Sequence, residues 1–419
     1  MAPKNKNLFL SFFWHIFEHF ENSIFTFTGI LVAWYFFPVN EQTWLGQNGI
    51  YIAISAMFFM DVPGALFFSW IGDKYGRKPA LILAYSLFSA SSLMIIMIPS
   101  YASIGVLSSI LIVGVRLLQG FCLGGSSGGR MILMSETEVK NKYFWLGILI
   151  SLGYFGSLLG TGLSAWCSTF DTIVWAWKIP YIFVAIMGTF LFFHRKNVLE
   201  SPEWLKQSSQ KTSTRPPFLE CYKRYKKEMW IVFLFGSAYL LPFYIGVIWG
   251  TLFLEQNFGF SSTLLLQNTS YLMLLSGLSV IFFFWLSNYI NPFYFMVVGI
   301  IATVFLAALF HYAIGSNVLF FIILSQTLIA LQVGLFTAPV LLYAQYMFPV
   351  KYRFSGFSVP LAFGKMLTTG TAPLIAATIV EKTQNACLVG DLLYFTAGAF
   401  LVATFLVWRF GYKRLLISS

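Results

Sequence analysis

The chain has 419 residues, 58% of them hydrophobic and only 10% charged, with a formal net charge of +11. Soluble domains carry about 25% charged residues, so this composition excludes a soluble enzyme or nucleic-acid-binding domain and points to a membrane-embedded chain. Apolar runs joined by short polar turns use up the length and leave no room for an appended catalytic domain.

Runs of about 20 residues cross roughly 30 Å of hydrocarbon as helix. Twelve such spans are predicted, near 12–37, 49–71, 79–98, 104–134, 143–167, 176–194, 229–254, 264–287, 293–314, 318–347, 354–380 and 390–411. The first, from Leu8, soon meets Glu18, His19 and Glu21 and has no small-residue cleavage site, so it reads as a retained span, not a signal peptide. The run from Ile50 to Ile71 carries one charge, Asp61, and ends in the charged turn Gly72-Asp73-Lys74-Tyr75-Gly76-Arg77-Lys78. The fourth span holds Arg116, Gln119, the glycine-rich stretch Gly124 to Gly129 and Arg130, and ends at Glu136. That stretch lacks the Lys-Ser/Thr of a phosphate-binding loop and lies inside a span, so close helix packing is its expected role. Gly153, Gly156, Gly160 and Gly162 of the fifth span read the same way.

The longest polar segment, Arg195 to Glu228, falls at the middle of the span count and divides the chain into 1–196, a cytoplasmic linker 197–228, and 229–419. Pro216-Pro217 breaks any helix there, and Phe218 to Glu228 reads as an amphipathic surface segment. In the second half the turn Ser287 to Pro292 occupies the position of the charged turn but has lost its charges.

Placing both termini inside gathers Lys4, Lys6, Lys74, Arg77, Lys78, Lys140, Lys142, the basic residues between Arg195 and Lys227, and Lys351, Arg353, Arg409, Lys413 and Arg414 on the cytoplasmic side. Only Lys178 and Lys382 fall outside, as the positive-inside rule requires. The four cysteines show no metal-type spacing, and free thiols are favoured over a bridge between Cys167 and Cys387. His15, His194 and His311 give no metal constellation, and no nucleophile-base set is visible.

The charged turn resembles the signature between the second and third spans of major facilitator transporters. Arg116-Leu117-Leu118-Gln119-Gly120-Phe121-Cys122-Leu123-Gly124-Gly125, Trp177-Lys178-Ile179-Pro180-Tyr181, Glu200-Ser201-Pro202-Glu203, Phe348-Pro349 with Arg353 and Gly356, and Gly370-Thr371-Ala372-Pro373 occur in order. Together they resemble the metabolite:proton symporter branch, which includes proline/betaine, 2-oxoglutarate, citrate and shikimate carriers. The resemblance implies an all-α membrane protein of twelve transmembrane helices, a major facilitator fold of two six-helix halves. The chain departs from the branch at three places. Glu18, Phe20, Glu21 and Phe25 stand for Glu-x-Tyr-Asp-x-x-x-Tyr; Asp61-Val62-Pro63-Gly64 stands for Arg-Pro-x-Gly; and Ser126 replaces the Glu after Gly-Gly, with Arg130 one turn on. An acid where a base was, and a base near where an acid was, suggest a swapped pair of Asp61 with Arg130.

Ionisable groups in hydrocarbon cost about 2.5–3.5 kcal/mol or more on insertion scales, so they face a cavity or each other. Glu18 and Glu21, three residues apart, share a helix face and can raise each other's proton affinity. Arg116 lies about 18 Å into its span and Lys365 about 15 Å into the eleventh, beyond a lysine's reach to the interface. Arg116, Lys365 and Gln119 are the expected substrate-binding residues, and Lys365 has no evident neutralising acid in its own half. Glu18, Glu21 and Asp61 are the expected proton-coupling residues. Asp73, Arg77, Arg130 and Glu136 are the expected gate, with Asp73 reaching the other half through a helix end or basic group and Glu136 facing Arg77. Structural ion pairing is the competing reading at each position. Axial distance alone leaves Asp61 between Arg116 and Arg130.

The expected function is proton-coupled symport of a small organic anion or zwitterion across a bacterial inner membrane, by a monomer with no cofactor beyond the proton gradient. The alternatives are a proton-independent exchanger or facilitator, and a transporter-like receptor. The receptor would need an appended cytoplasmic module, whereas the sequence stops about eight residues after the last span.

Overall fold

In lipid every backbone N–H and C=O must be satisfied within the protein, and long apolar runs do this as helices. The computed structural model describes residues 3–38, 44–137, 141–167, 177–194, 197–208 and 217–412, which are helical with no strand. Lys140, Arg195, Lys196, Lys211, Arg215, Pro216, Lys413 and Arg414, and the side chains of Lys4 and Lys6, lie outside the described residues.

Helices α1 (Pro3–Phe36), α2 (Trp44–Lys74), α3 (Arg77–Met97), α4 (Val106–Ser135), α5 (Lys142–Cys167) and α6 (Lys178–His194) precede the short α7 (Pro202–Ser208) and α8 (Pro217–Arg224). Then follow α9 (Lys226–Ala238), α10 (Gly250–Phe258), α11 (Ser262–Leu286), α12 (Pro292–Ser316), α13 (Leu319–Tyr346), α14 (Arg353–Leu367), α15 (Ala372–Thr383) and α16 (Cys387–Arg409). Among the described residues, ten helical stretches are long and apolar enough to cross a membrane.

Two predicted spans are interrupted. The span expected at 229–254 runs through α9, a turn, the segment Leu241–Phe243 and a π-helix, Tyr244–Trp249, before α10. Pro242 has no N–H to continue the ladder, and π-turns accommodate such a break. The span expected at 354–380 breaks between α14 and α15, and there the Gly370 amide donates to the Lys365 carbonyl at 2.8 Å. Phe218 to Glu228 covers all but the first residue of α8 and the start of α9; α8 buries Cys221 and exposes Leu219 and Tyr222.

One apolar core runs through residues between Leu10 and Val198, a second through residues between Leu241 and Leu393, and a third joins the two sets. The sets meet where α2 packs on α14 and α5 on α11. Ser55 Oγ donates to the Gly370 carbonyl at 2.9 Å across the first contact, and Ser151 Oγ to the Gly277 carbonyl at 2.8 Å across the second.

Helices α2 and α4 touch backbone to backbone. A Cβ on Gly120 would stand 2.0 Å from the Met57 carbonyl oxygen, and one on Gly124 2.3 Å from that of Asp61. The glycine-rich stretch is therefore a packing surface, as are Gly153, Gly156 and Gly160 against α1. Gly162 differs from the expectation, because a Cβ there meets nothing within 4 Å. All four cysteines are free. We predict that Gly124→Ala destabilises the detergent-solubilised protein by about 1–3 kcal/mol through overpacking. A lowered melting temperature would register this, and Gly162→Ala should leave it unchanged.

Candidate functional site

At the charged turn, Gly76 adopts φ 114°, a conformation open to glycine, and lets α3 begin directly after α2. Glu200 accepts hydrogen bonds from the Arg77 and Lys78 amides at 2.8 and 3.1 Å, satisfying the exposed start of α3. Arg77 is fully buried. It donates to the Gly72 carbonyl at 2.6 Å, Asp73 at 2.9 Å, Glu136 at 3.0 Å and the Val350 carbonyl at 2.7 Å.

Asp73 accepts from the Phe354 and Ser355 amides at 3.2 and 2.9 Å, so it sits on the N-terminus of α14, where the helix dipole favours an anion. Arg353 donates to Glu136 at 3.2 Å and to Glu203 at 2.8 Å. These bonds join the two helix sets and shut the bundle on the side bearing the charged turn. Arg353, Glu200 and Glu203, recognisable in the sequence only as parts of motifs, complete this network together with the turn residues.

The charges buried further in form three pairs. Arg130 grips Glu18 bidentately, at 2.7 and 3.0 Å, and Ser126 donates to the same carboxylate at 2.7 Å. Arg130 also meets His15 Nδ1 at 3.0 Å. Guanidinium only donates, so Nδ1 accepts and carries no proton. Arg116 donates to Gln119 and Asn22, each at 2.8 Å, stands 3.6 Å from Glu21, and lies 4.1 Å from the Phe25 ring centre. Gln119 in turn donates to Glu21 at 2.8 Å. Lys365 pairs with Asp61 at 2.6 Å, across the two helix sets.

The swapped Asp61–Arg130 pair does not form. Asp61 is level with Gly124, against whose Cα its carbonyl packs, and Arg130 lies six residues, or about 9 Å, further along α4. Arg130 binds within the first helix set and takes no part in the network at the charged turn. Glu18 and Glu21 do not share one environment either, since each has its own arginine.

A central cavity of about 190 Å³ lies between the sets. His15, Glu18, His19, Asn22, Asp61 and Lys365 contribute its polar wall, and Phe58, Tyr154, Tyr239, Phe243 and Tyr244 its aromatic wall. Arg116, Gln119, Glu21 and Arg130 do not line it; they lie buried behind the wall. Arg116 and Gln119, expected to bind substrate, therefore do not face this cavity, whereas Lys365 does. The sequence reading also missed the aromatic wall and His15, whose i, i+4 spacing to His19 was the available signal. His15, Glu18 and His19 bring ligand-type atoms within 4.8 Å of one another. Arg130 occupies both the Glu18 carboxylate and His15 Nδ1, so this cluster does not suit a cation.

Comparison with known proteins agrees with this architecture. The shikimate transporter of Escherichia coli (strain K12) is 26% identical over 387 residues, covering 85% of this chain and 86% of that protein. The proline/betaine transporter of the same organism is 25% identical, covering 88% of this chain and 76% of its own length. Among solved structures, the proton:xylose symporter XylE bound to 6-bromo-6-deoxy-D-glucose superposes with a TM-score of 0.76 at 13% identity, over 98% of this chain and 96% of XylE. That likeness concerns the fold. The profile of the Major Facilitator Superfamily matches residues 22–373, so the chain belongs to that superfamily and is a multi-pass membrane protein.

Proposed function

We propose that the chain is a secondary active transporter that moves a small organic anion or zwitterion together with protons by alternating access. The carrying observation is the Lys365–Asp61 pair: opposite charges from the two helix sets meet at 2.6 Å on the wall of the central cavity. A solute carboxylate competing for Lys365 changes what holds the sets together, which links occupancy to their relative movement. The shikimate and proline/betaine transporters among the relatives support a carboxylate-bearing solute. A proton-independent exchanger is the second reading, favoured by the arginine that accompanies each of Glu18 and Glu21.

Pro3–Phe36 and Lys178–His194, counted with the ten spans, support twelve transmembrane helices, six on each side of a linker proposed at 197–228, with halves 1–196 and 229–419. The distribution of basic residues supports a cytoplasmic position for both termini and the charged turn, and the bacterial relatives support an inner-membrane location. The cavity enclosed within one chain supports a monomer as the unit of transport. In this orientation the structure is closed toward the cytoplasm.

Lys365→Ala should abolish uptake of labelled shikimate and proline into proteoliposomes while the protein still inserts and elutes as a single species. Uptake at the wild-type rate would sink the site. Arg116→Ala instead strands buried Glu21 and should destabilise the fold by about 3–5 kcal/mol, seen as lost monodisperse protein. Asp73→Asn weakens the hold on α14. Thiol labelling of a Ser358→Cys cavity reporter from the cytoplasmic side should then rise several-fold, and unchanged labelling would remove Asp73 from the gate.

A further inference from the structure

We propose that Asp61 carries the coupled proton: a substrate carboxylate takes Lys365 from Asp61, and Asp61 takes one proton in its place. This deepens the transporter reading and rests on it.

The buried acids of the first half are not equivalent. Glu18 receives two bonds from Arg130 and one from Ser126, and arginine cannot give up its proton to let go. Glu21 lies behind the cavity wall, held by Gln119 and Arg116. Asp61 faces the cavity, and among the described residues its ion pair is the single one to Lys365. That ammonium is a flexible point charge with three donors, suited to changing partners. The other groups around the pair are His15, Glu18 and His19 from α1, with Arg130 behind Glu18, Tyr154 from α5, and Tyr239 and Tyr244 from the interrupted helix. His15 is fixed as an acceptor by Arg130 and is not free to take the proton at Nδ1.

Charge balance supplies the coupling. With Glu18 matched by Arg130 and Asp61 by Lys365, the empty cavity is neutral. A monocarboxylate alone would bring one negative charge into an enclosed site and leave Asp61 without its cation, and an unpaired buried charge is strongly unfavourable. One proton from the loading side, bound at the Asp61 carboxylate, restores neutrality. On the release side the anion leaves Lys365, the proton leaves Asp61, and the original pair re-forms. Each cycle moves one proton and one monocarboxylate anion and no net charge.

The test uses purified full-length protein in proteoliposomes, with labelled shikimate as the monocarboxylate and proline as the zwitterion. An internal pH dye reads proton flux, and potassium with valinomycin sets the voltage. Wild type should take up one proton per shikimate and accumulate it about tenfold for each unit of pH gradient, independently of voltage. Asp61→Asn should still exchange shikimate for shikimate but lose accumulation and proton uptake, and Asp61→Glu should restore both. Voltage-driven shikimate uptake in wild type overturns the inference without any variant. So does undiminished proton-coupled accumulation in Asp61→Asn, and so does transport of proline with shikimate ignored, which leaves the transporter reading standing. Transport of neither probe removes that reading and the inference with it.

Discussion

A charge inside hydrocarbon has to be met by its opposite within bonding distance, and that constraint arranges most of this molecule. Arg130 draws α4 onto α1 through Glu18, Arg116 does the same about four turns earlier on α4 through Glu21, and Lys365 draws α14 onto α2 through Asp61. The same rule operates at the charged turn, where Arg77, Glu136 and Arg353 form a buried chain of alternating sign. Pairs within the first helix set fix a rigid body. Pairs between the sets fix a conformation, and the two kinds have different consequences when broken.

The two sets solve the burial problem differently. The first relies on charge. The second relies on amides and hydroxyls: Gln332 donates to Thr303 and to the Gly299 carbonyl at 2.5 and 3.0 Å, and Gln326 donates to the Gly246 carbonyl at 3.0 Å. At the turn before α12, Asn291 accepts from the Phe293 amide and from the Tyr343 hydroxyl, each at 2.9 Å, where the first set uses Asp73 and Arg77. Neutral hydrogen bonds contribute less individually than charge-assisted ones, so the second set is the less tightly tied. Its interrupted helices, at the π-helix Tyr244–Trp249 and between α14 and α15, both border the cavity.

Much of this was legible in the sequence, for stated reasons. Apolar length gives the membrane-crossing helices because the thickness of the bilayer imposes it. The glycine runs announce close helix contacts because only a missing Cβ leaves room for a carbonyl oxygen 2.0 Å from where that atom would stand, as at Gly120. Asp73 on a helix end and Glu136 against Arg77 follow from their positions at span ends. The pairings in the interior did not follow. Axial depth gives height but not azimuth, so Asp61 could not be separated from the arginines of its own half. Its actual cation comes from some 300 residues later in the chain, in α14. Depth also could not tell that Arg116 points away from the cavity, because a helix offers several faces at each height. The aromatic wall was hidden among 47 phenylalanines and 21 tyrosines, most of which serve packing or lipid.

The contrast between the two residues of the central pair bears on selectivity. Asp61 has a short side chain on a helix clamped by backbone contact at Gly124, whereas Lys365 carries its charge on a four-carbon stem three residues before the helix breaks. A guanidinium fork dictates the plane and angle of a carboxylate; an ammonium on a tether demands only the negative charge. Under the proposed transport of a carboxylate, such an anchor would be permissive, and discrimination among acids would fall to the rings of Phe58, Phe243 and Tyr244, which meet edge to face at 5.7 and 6.0 Å.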